Sequence, residues 1–340
     1  MKFISFLTQK DEERLGLMIH GKIIDLQKSA EQVGISLPST MSEFLKGEMK
    51  YMEPARKVET AFLQKKTKET ETNIKLLSPV PHPTSCRDAY AFRQHVEAAR
   101  RNRGMEMIPE FDQFPIFYYT NHNAIMGDGP VLVEKDHLHQ LDFELEVAIV
   151  IGKSGKNILS SKADEYIAGF TIMNDFSARL LQMEEMKLSL GPAKGKDFAT
   201  TLGPWLVTPD ELDAKKIETP FGLKHDLSMK AYHNGKLISS GNLKEMNWTF
   251  AEIIERVSYG TDIYPGDVIG SGTVGTGCYM ELNGTYARQA KETGSAYLPI
   301  WLQEGDTIEL EVELLGKLKN TILKSHSDHS ILAKKKIIHA

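Results

Sequence analysis

From Phe143 to Ile151 the chain reads Phe-Glu-Leu-Glu-Val-Ala-Ile-Val-Ile, apolar at every position except Glu144 and Glu146. Such a run, rich in Val and Ile, has the composition of a buried strand. Alternation along a strand puts both glutamates on one face, with Cα atoms about 6.5–7 Å apart, and turns Phe143, Leu145 and Val147 the other way. Two like charges side by side repel, and burying either one unpaired costs more still. Two arrangements relieve this. The strand lies at an edge with a solvated face, as Glu309-Leu-Glu-Val-Glu suggests for its own segment, or a divalent cation takes both carboxylates. Asp175 ends the apolar run Gly169-Phe-Thr-Ile-Met-Asn, at a strand end where a loop opens a site. It equally suits the N-cap of a helix beginning at Phe176. Spacing leaves both choices open.

A chain of 340 residues exceeds one typical domain, so one large domain or two unequal ones is expected. With 41% apolar and 26% charged residues it has the balance of an ordinary globular protein. A net charge of −5 argues against nucleic acid or anionic membrane as a partner. Lys65, Lys66, Lys68 and the tail Lys334 to Lys336 read as solvated lysines. Two cysteines, Cys86 and Cys278, exclude a disulfide framework and a cysteine zinc site, and suit a reducing cytoplasm. The apolar segment Phe3 to Leu7 is too short for a signal peptide. No stretch approaches the ~18 apolar residues of a membrane span.

Short strands are expected over Lys2 to Leu7, Leu15 to Ile19 and Ile23 to Leu26, with a turn at His20-Gly21-Lys22, then a helical pair around Ser42 to Leu45 and Ala55 to Leu63. The polar stretch after Lys65 and Ser78-Pro-Val-Pro-His-Pro mark a boundary near residue 75. This gives a small β-rich unit over 1–75 and a larger one over 76–340. The latter reads as mostly β, an α+β domain, with strands at 143–152, 168–175, 205–208, 229–237, 268–275 and 307–314. Helices are expected at Tyr90 to Arg103, Phe176 to Met186 and Phe250 to Ser258.

The chain lacks a Gly-x-Ser-x-Gly elbow, a phosphate-binding Gly-x-x-x-x-Gly-Lys-Ser/Thr loop and a His-Glu-x-x-His helix. Gly270-Ser-Gly-Thr-Val-Gly has only the loose spacing of a dinucleotide fingerprint, and Thr276-Gly-Cys-Tyr-Met-Glu after it does not read as a helix. No nucleotide cofactor is expected.

Five segments occur in a telling order: Asp88-Ala-Tyr-Ala-Phe-Arg-Gln-His95, Phe143-Glu-Leu-Glu146, Met173-Asn-Asp-Phe-Ser-Ala-Arg179, Gly195-Lys-Asp-Phe-Ala-Thr-Thr-Leu-Gly-Pro-Trp205, and Gly270-Ser-Gly-Thr-Val-Gly followed by Met280-Glu-Leu-Asn-Gly. Together they resemble the fumarylacetoacetate hydrolase family over residues 78 to 325. The resemblance implies a mixed β-sandwich or roll preceded by a small SH3-like barrel, in a homodimer. It implies cleavage of a carbon–carbon bond in a 3,5-dioxo acid such as fumarylacetoacetate by a histidine-activated water, and so a dioxo- or keto-acid substrate. Acylpyruvate hydrolysis, oxaloacetate decarboxylation and 2-keto acid dehydration or isomerisation are the family's alternatives.

By the same resemblance a divalent cation, Mg²⁺ or Ca²⁺ with Mn²⁺ as a further option, is held by Glu144, Glu146 and Asp175, with Asp88 as fourth ligand and Thr200 close by. His95 matches the base and Glu281 its orienting partner. That pair speaks for water activation rather than simple isomerisation. Arg179, Gln182 and Lys196 match the groups that stabilise developing negative charge. Tyr90, Tyr118 and Thr273 match substrate-contacting positions. Arg100, Arg101 and Arg103 compete for the substrate carboxylate, and Met186 stands where a substrate-binding tyrosine is usual.

Overall fold

The computed structural model describes residues 1–67 and 70–332. Lys68 and Lys334 to Lys336, among the lysines expected to be solvated, lie outside the described residues.

Leu145–Ile151 and Ile167–Asp175 are strands buried at every position. They pair antiparallel, Leu145 opposite Asn174 and Ile149 opposite Phe170. Neither is an edge. The sheet runs Lys22–Asp25, Glu13–Ile19, Lys2–Leu7, Thr200–Val207, Ile167–Asp175, Leu145–Ile151, Asp267–Gly270, Ser85–Ala89, Phe117–Thr120. The solvated-edge arrangement for Glu144 and Glu146 is therefore excluded. Continuous Val/Ile/Leu runs mark strands covered on both faces, and here the covering differs by face. Leu145, Val147, Ile149 and Ile151 enter one core with Phe170 and Ile172. Ala148 and Val150 enter a second with Met173, Leu202 and the N-terminal residues Phe3, Leu15, Leu17 and Phe44.

The first three strands thus belong to the main sheet, joined where Lys2 pairs with Val207 and Phe3 with Leu206. Over the other face lies a five-stranded sheet, ordered Lys236–Asn242, Ser228–His233, Thr307–Val312, Gly316–Lys324, Gly129–Val133. Its inward residues, among them Met229, Ala231, Leu310 and Ile322, share the first core. The result is a mostly-β sandwich with peripheral helices. Glu309 and Glu311 alternate with buried neighbours and stay half-exposed, as expected, but their strand is not the edge suggested for it, since it pairs on both sides.

The helix at Phe250–Ser258 lies where expected, opened by a Thr249–Glu252 capping box. Two helices start later than the periodicity suggests. Arg93–Arg101 follows an extended Phe92. Arg179–Met186 begins only after Ser177 and Ala178 have bridged to Asp142 and Leu141. Asp175 remains in its strand and caps nothing, since Ala178 is the N-cap. A third departure is larger. Tyr279–Glu292 is a fourteen-residue helix where no helix was read, and the strand expected over 268–275 ends at Gly270. Gly284 stands inside this helix although glycine is a poor helix former. A Cβ there would lie 2.7 Å from Asn102 Nδ2, so close packing on the Arg93–Arg101 helix demands the glycine.

His225 sits edge-on to Phe170 in the core, and burial pushes its imidazole down to about 4. A histidine harder to protonate when folded draws the unfolded state in acid. Stability from this residue should be intact above pH 6.5 and decline as pH falls toward 4, by about 3 kcal/mol. Melting temperature against pH, compared with His225→Leu, checks this; the variant should lose that part of the slope.

Candidate active site

Asp88 stands near the end of Ser85–Ala89 and Glu146 on Leu145–Ile151, and Asp267–Gly270 runs between these two strands. With Glu144 they bring ligand oxygens within 4.8 Å of one another, all buried. The strand between them ends in glycine for a steric reason: a Cβ on Gly270 would lie 2.5 Å from Asp88 Oδ1 and 3.0 Å from Glu146 Oε2. Gly272, at φ +78° and with Ala89 O 2.6 Å from any Cβ, turns its N–H inward. That N–H donates to Asp88 Oδ1 at 3.1 Å and Glu146 Oε2 at 3.2 Å, and Thr273 Oγ1 donates to Glu146 Oε1 at 3.3 Å. The glycine pattern that loosely evokes a phosphate loop therefore cradles carboxylates.

Burial and the nearby Asp175 charge push Asp88 up to about 8. Burial and Asp88 push Glu146 well above the carboxylate range. Hard oxygen donors converging in a cradle that a Cβ would fill fit a divalent cation; of the three carboxylates, only Glu144 is ion-paired among the described residues, to Lys196 and Arg179. Gly270→Ala should displace Asp88 and weaken cation binding about 10–100-fold while leaving the fold intact, readable by titration calorimetry beside circular dichroism.

Asp175 lies outside this group of three and is linked to it through Lys196. Lys196 Nζ donates to Glu144 Oε2 at 2.5 Å and Asp175 Oδ2 at 2.7 Å. Thr200 Oγ1 donates to Asp175 Oδ1 at 3.3 Å, and the Tyr118 hydroxyl donates to Asp175 Oδ2. Tyr118, expected against substrate, thus spends its hydroxyl on a carboxylate while its ring faces the cavity. Against the penalty of burial, Lys196 and Arg179 hold Glu144 down to about 2. Burial would lower Lys196, but Asp175 and Glu144 hold it above the ordinary ammonium range. Its approach depends on Gly195, where a Cβ would meet Gln182 Cβ at 2.6 Å.

Arg179 is buried and fully engaged. Its Nε donates to Asp142 Oδ2 at 2.8 Å, Nη1 to Gln182 Oε1 at 2.9 Å and Nη2 to Glu144 Oε1 at 2.7 Å. The third group is His95, buried on the Arg93–Arg101 helix, with Nδ1 2.6 Å from Glu281 Oε2. Glu281 Oε1 accepts from Thr276 N at 2.9 Å, so the carboxylate is fixed at both oxygens. A histidine oriented in this way through one nitrogen offers Nε2 for proton transfer. Tyr90 packs edge-on at 5.8 Å between centroids.

A cavity of about 390 Å³ opens onto these groups. Asp88, Tyr90, His95, Tyr118, Glu144, Arg179, Gln182, Lys196 and Thr273 line it, while Glu146, Asp175, Thr200 and Glu281 stand behind them. Of the three competing arginines only Arg103 reaches the wall. Arg100 is tied to Glu106 O, and Arg101 is exposed. Met183, Met186 and Ile116 supply an apolar side. Sequence reasoning missed Gly272, whose donor the Gly-x-Gly spacing could have suggested, and Asp142, which only the fold reveals.

The fold sets a buried carboxylate cluster beside a carboxylate-oriented histidine at one cavity. The sequence profile described as "Fumarylacetoacetate (FAA) hydrolase C-terminal" matches residues 84–323, and the chain belongs to that family. Oxaloacetate tautomerase YisK of Bacillus subtilis is 28% identical over 321 residues, spanning 91% of this chain and 95% of that protein. The mitochondrial oxaloacetate tautomerase Fahd2a of Rattus norvegicus is 29% identical over 331 residues, spanning 95% and 92%. The fold is shared with maleylpyruvate hydrolase from Sphingobium sp. SYK-6, solved with manganese(II) and pyruvate (TM-score 0.65, 19% identity, 96% of this chain and 100% of that one). These relatives favour the family's alternative chemistries over fumarylacetoacetate itself. Among the described residues no helix is long and apolar enough to cross a membrane.

Proposed function

We propose that this chain is a divalent-cation-dependent enzyme for short 2-oxo dicarboxylates of the oxaloacetate type, moving a proton between enol and keto forms. The likeness to tautomerases carries this reading over hydrolysis, while the His95–Glu281 pair, expected to favour water activation, serves proton transfer equally and opens with Asp88 and Glu144 onto one cavity. Two relatives matched over nine-tenths of the chain are named oxaloacetate tautomerases. Asp88, Glu144 and Glu146, with Asp175 beyond Lys196, would hold the cation, and manganese in maleylpyruvate hydrolase supports a metal of that kind. When bound it supplies Lewis acidity to the oxygens of the 2-oxo acid.

The chain's own groups then divide the work. His95 Nε2 takes the enol O–H proton and returns one to C3, so one O–H bond breaks, one C–H bond forms, and nothing else is consumed. Glu281 keeps Nδ1 protonated throughout. Arg179, Gln182 and Lys196 stabilise the negative charge on oxygen between the two transfers. Arg103 lies on the cavity wall to meet the second carboxylate.

Hydrolysis of a carbon–carbon bond is the second reading, and the geometry of the same pair favours it, because a carboxylate-oriented imidazole also deprotonates water. Proton NMR of the purified protein with Mg²⁺ or Mn²⁺ separates the two on freshly dissolved oxaloacetate and a set of 3,5-dioxo acids. Accelerated enol–keto interconversion with an unchanged carbon skeleton is expected. Two carboxylic-acid fragments, or pyruvate and carbon dioxide, would instead establish hydrolysis or decarboxylation.

A further inference from the structure

Asp142 has no place in the chemistry described so far, yet it is fully buried and both its oxygens are saturated. Oδ1 accepts from Phe143 N at 2.9 Å and Tyr279 N at 2.7 Å. Oδ2 accepts from Met280 N at 2.9 Å and Arg179 Nε at 2.8 Å. Apart from the adjacent Phe143, the partners come from two distant segments. Asp142 itself bridges to Ser177, two residues before Arg179, and lies two residues before Glu144. It also caps Tyr279–Glu292 from outside, because Cys278 at the N-cap makes no side-chain bond. Glu281, which orients His95, is in the first turn of that helix.

We propose that Asp142 is a positioning residue that sets the register between the Arg179–Glu144 side of the site and the Glu281–His95 side. A carboxylate suits the task, since four N–H donors converge on it and one belongs to a buried cation. The N-terminal end of the helix dipole adds to the preference for negative charge there. An asparagine offers one acceptor oxygen and turns two donors of its own either toward Met280 N–H and the Arg179 guanidinium or toward Phe143 N–H and Tyr279 N–H. Either facing leaves buried donors unpaired. The first turn then moves, taking Glu281 with it, and His95 loses the partner that fixes its tautomer. Arg179 meanwhile keeps Glu144 and Gln182, so substrate binding is less affected than turnover.

The effect on turnover rests on the proposed function; the effect on His95 does not. The experiment uses the Mn²⁺-loaded full chain for kinetics on oxaloacetate and the Mg²⁺-loaded chain for ¹⁵N-histidine NMR. It compares Asp142→Asn and Asp142→Glu with Thr249→Ala, which strips a helix cap remote from the site. In Asp142→Asn we expect kcat to fall about 10–100-fold with KM within about threefold, and the His95 signals to change from a single Nδ1–H tautomer to a mixture. Asp142→Glu keeps the charge and should show the same changes to a smaller degree, and it decides the matter if the asparagine variant does not fold. Thr249→Ala should lose stability but keep kcat and tautomer. Parental kcat and tautomer in a folded Asp142 variant, or an equal loss of kcat in Thr249→Ala, would overturn the proposal. Should the parent turn over no 2-oxo acid while Asp142→Asn still mixes the tautomers, the functional reading fails and the positioning role stands.

Discussion

Replacing His95 by alanine should lower kcat about 10²–10⁴-fold, the usual contribution of a positioned acid–base group, with little change in KM. The imidazole is the one group on the cavity wall whose Nδ1 is bound to a buried carboxylate. The cationic groups Arg179 and Lys196 are instead committed to Glu144 and Asp175, which leaves them to hold charge rather than move protons. KM should hold because the Asp88, Glu144 and Glu146 cluster makes no hydrogen bond to His95. The variant also strands Glu281, which keeps only Thr276 N for its two buried oxygens. A stability loss of about 1–3 kcal/mol should accompany the kinetic defect. Glu281→Gln separates the two effects. It keeps an acceptor for Nδ1–H, so the ring keeps its orientation but loses the charge that stabilises imidazolium, and kcat should fall less than in His95→Ala. Steady-state kinetics with circular dichroism and thermal melts test both variants. Parental turnover in a folded His95→Ala protein would remove His95 from the mechanism.

What the sequence disclosed follows from how local each feature is. The strand from 143 to 151 could be read because its apolar run is a local property. Whether its glutamates met water or a cation depended on neighbours far away in the chain. The placement of Asp267–Gly270 and Ile167–Asp175 on either side excluded the solvated edge. The N-cap reading of Asp175 failed for a related reason: the Ser177–Asp142 bridge delays the helix by three residues. The helix from Tyr279 was not legible because Thr276 to Glu281 do not look helical locally, and within it Gly284 packs against Asn102 despite a poor helical propensity.

The site shows the same division. Asp88, His95 and Glu281 carry little meaning as spacing, being scattered over nearly two hundred residues, and it was the ordered family segments that singled them out. Those segments did not distinguish among Arg100, Arg101 and Arg103, because which helical arginine faces a cavity is set by the helix's rotation. Nor did they point to Asp142, whose partners at 179, 279 and 280 become neighbours only on folding. The cavity wall explains why the chemistry reads more clearly than the substrate. The charged groups are those that the family resemblance implies, whereas Met183, Met186 and Ile116 leave a broad apolar side.

Removing the cation should abolish turnover, and its return should depend on pH in a definite direction. In the cation-free protein Asp88 is pushed up to about 8 and Glu146 well above the carboxylate range, burial being the first cause for each and neighbouring carboxylates the next. At neutral pH both therefore hold protons. A divalent cation accepts only the ionised oxygens, so its entry expels those protons. Raising the pH removes protons that the cation would otherwise have to displace. Apparent affinity should climb about tenfold per pH unit for each proton released, and the Asp88 contribution should level off above pH 8. Glu144, already ionised beside Lys196 and Arg179, adds no slope in this range. Titration calorimetry with Mn²⁺ at pH 7, in two buffers of different ionisation enthalpy, should register the release of about one to two protons per cation. At a cation concentration of 100 Kd the folded state should gain about 2.7 kcal/mol, seen as a rise in melting temperature that a chelator reverses. Glu146→Gln should bind the cation more weakly and release fewer protons. Cation binding that is independent of pH between 6 and 8 and releases no protons would show that these carboxylates are not the ligands.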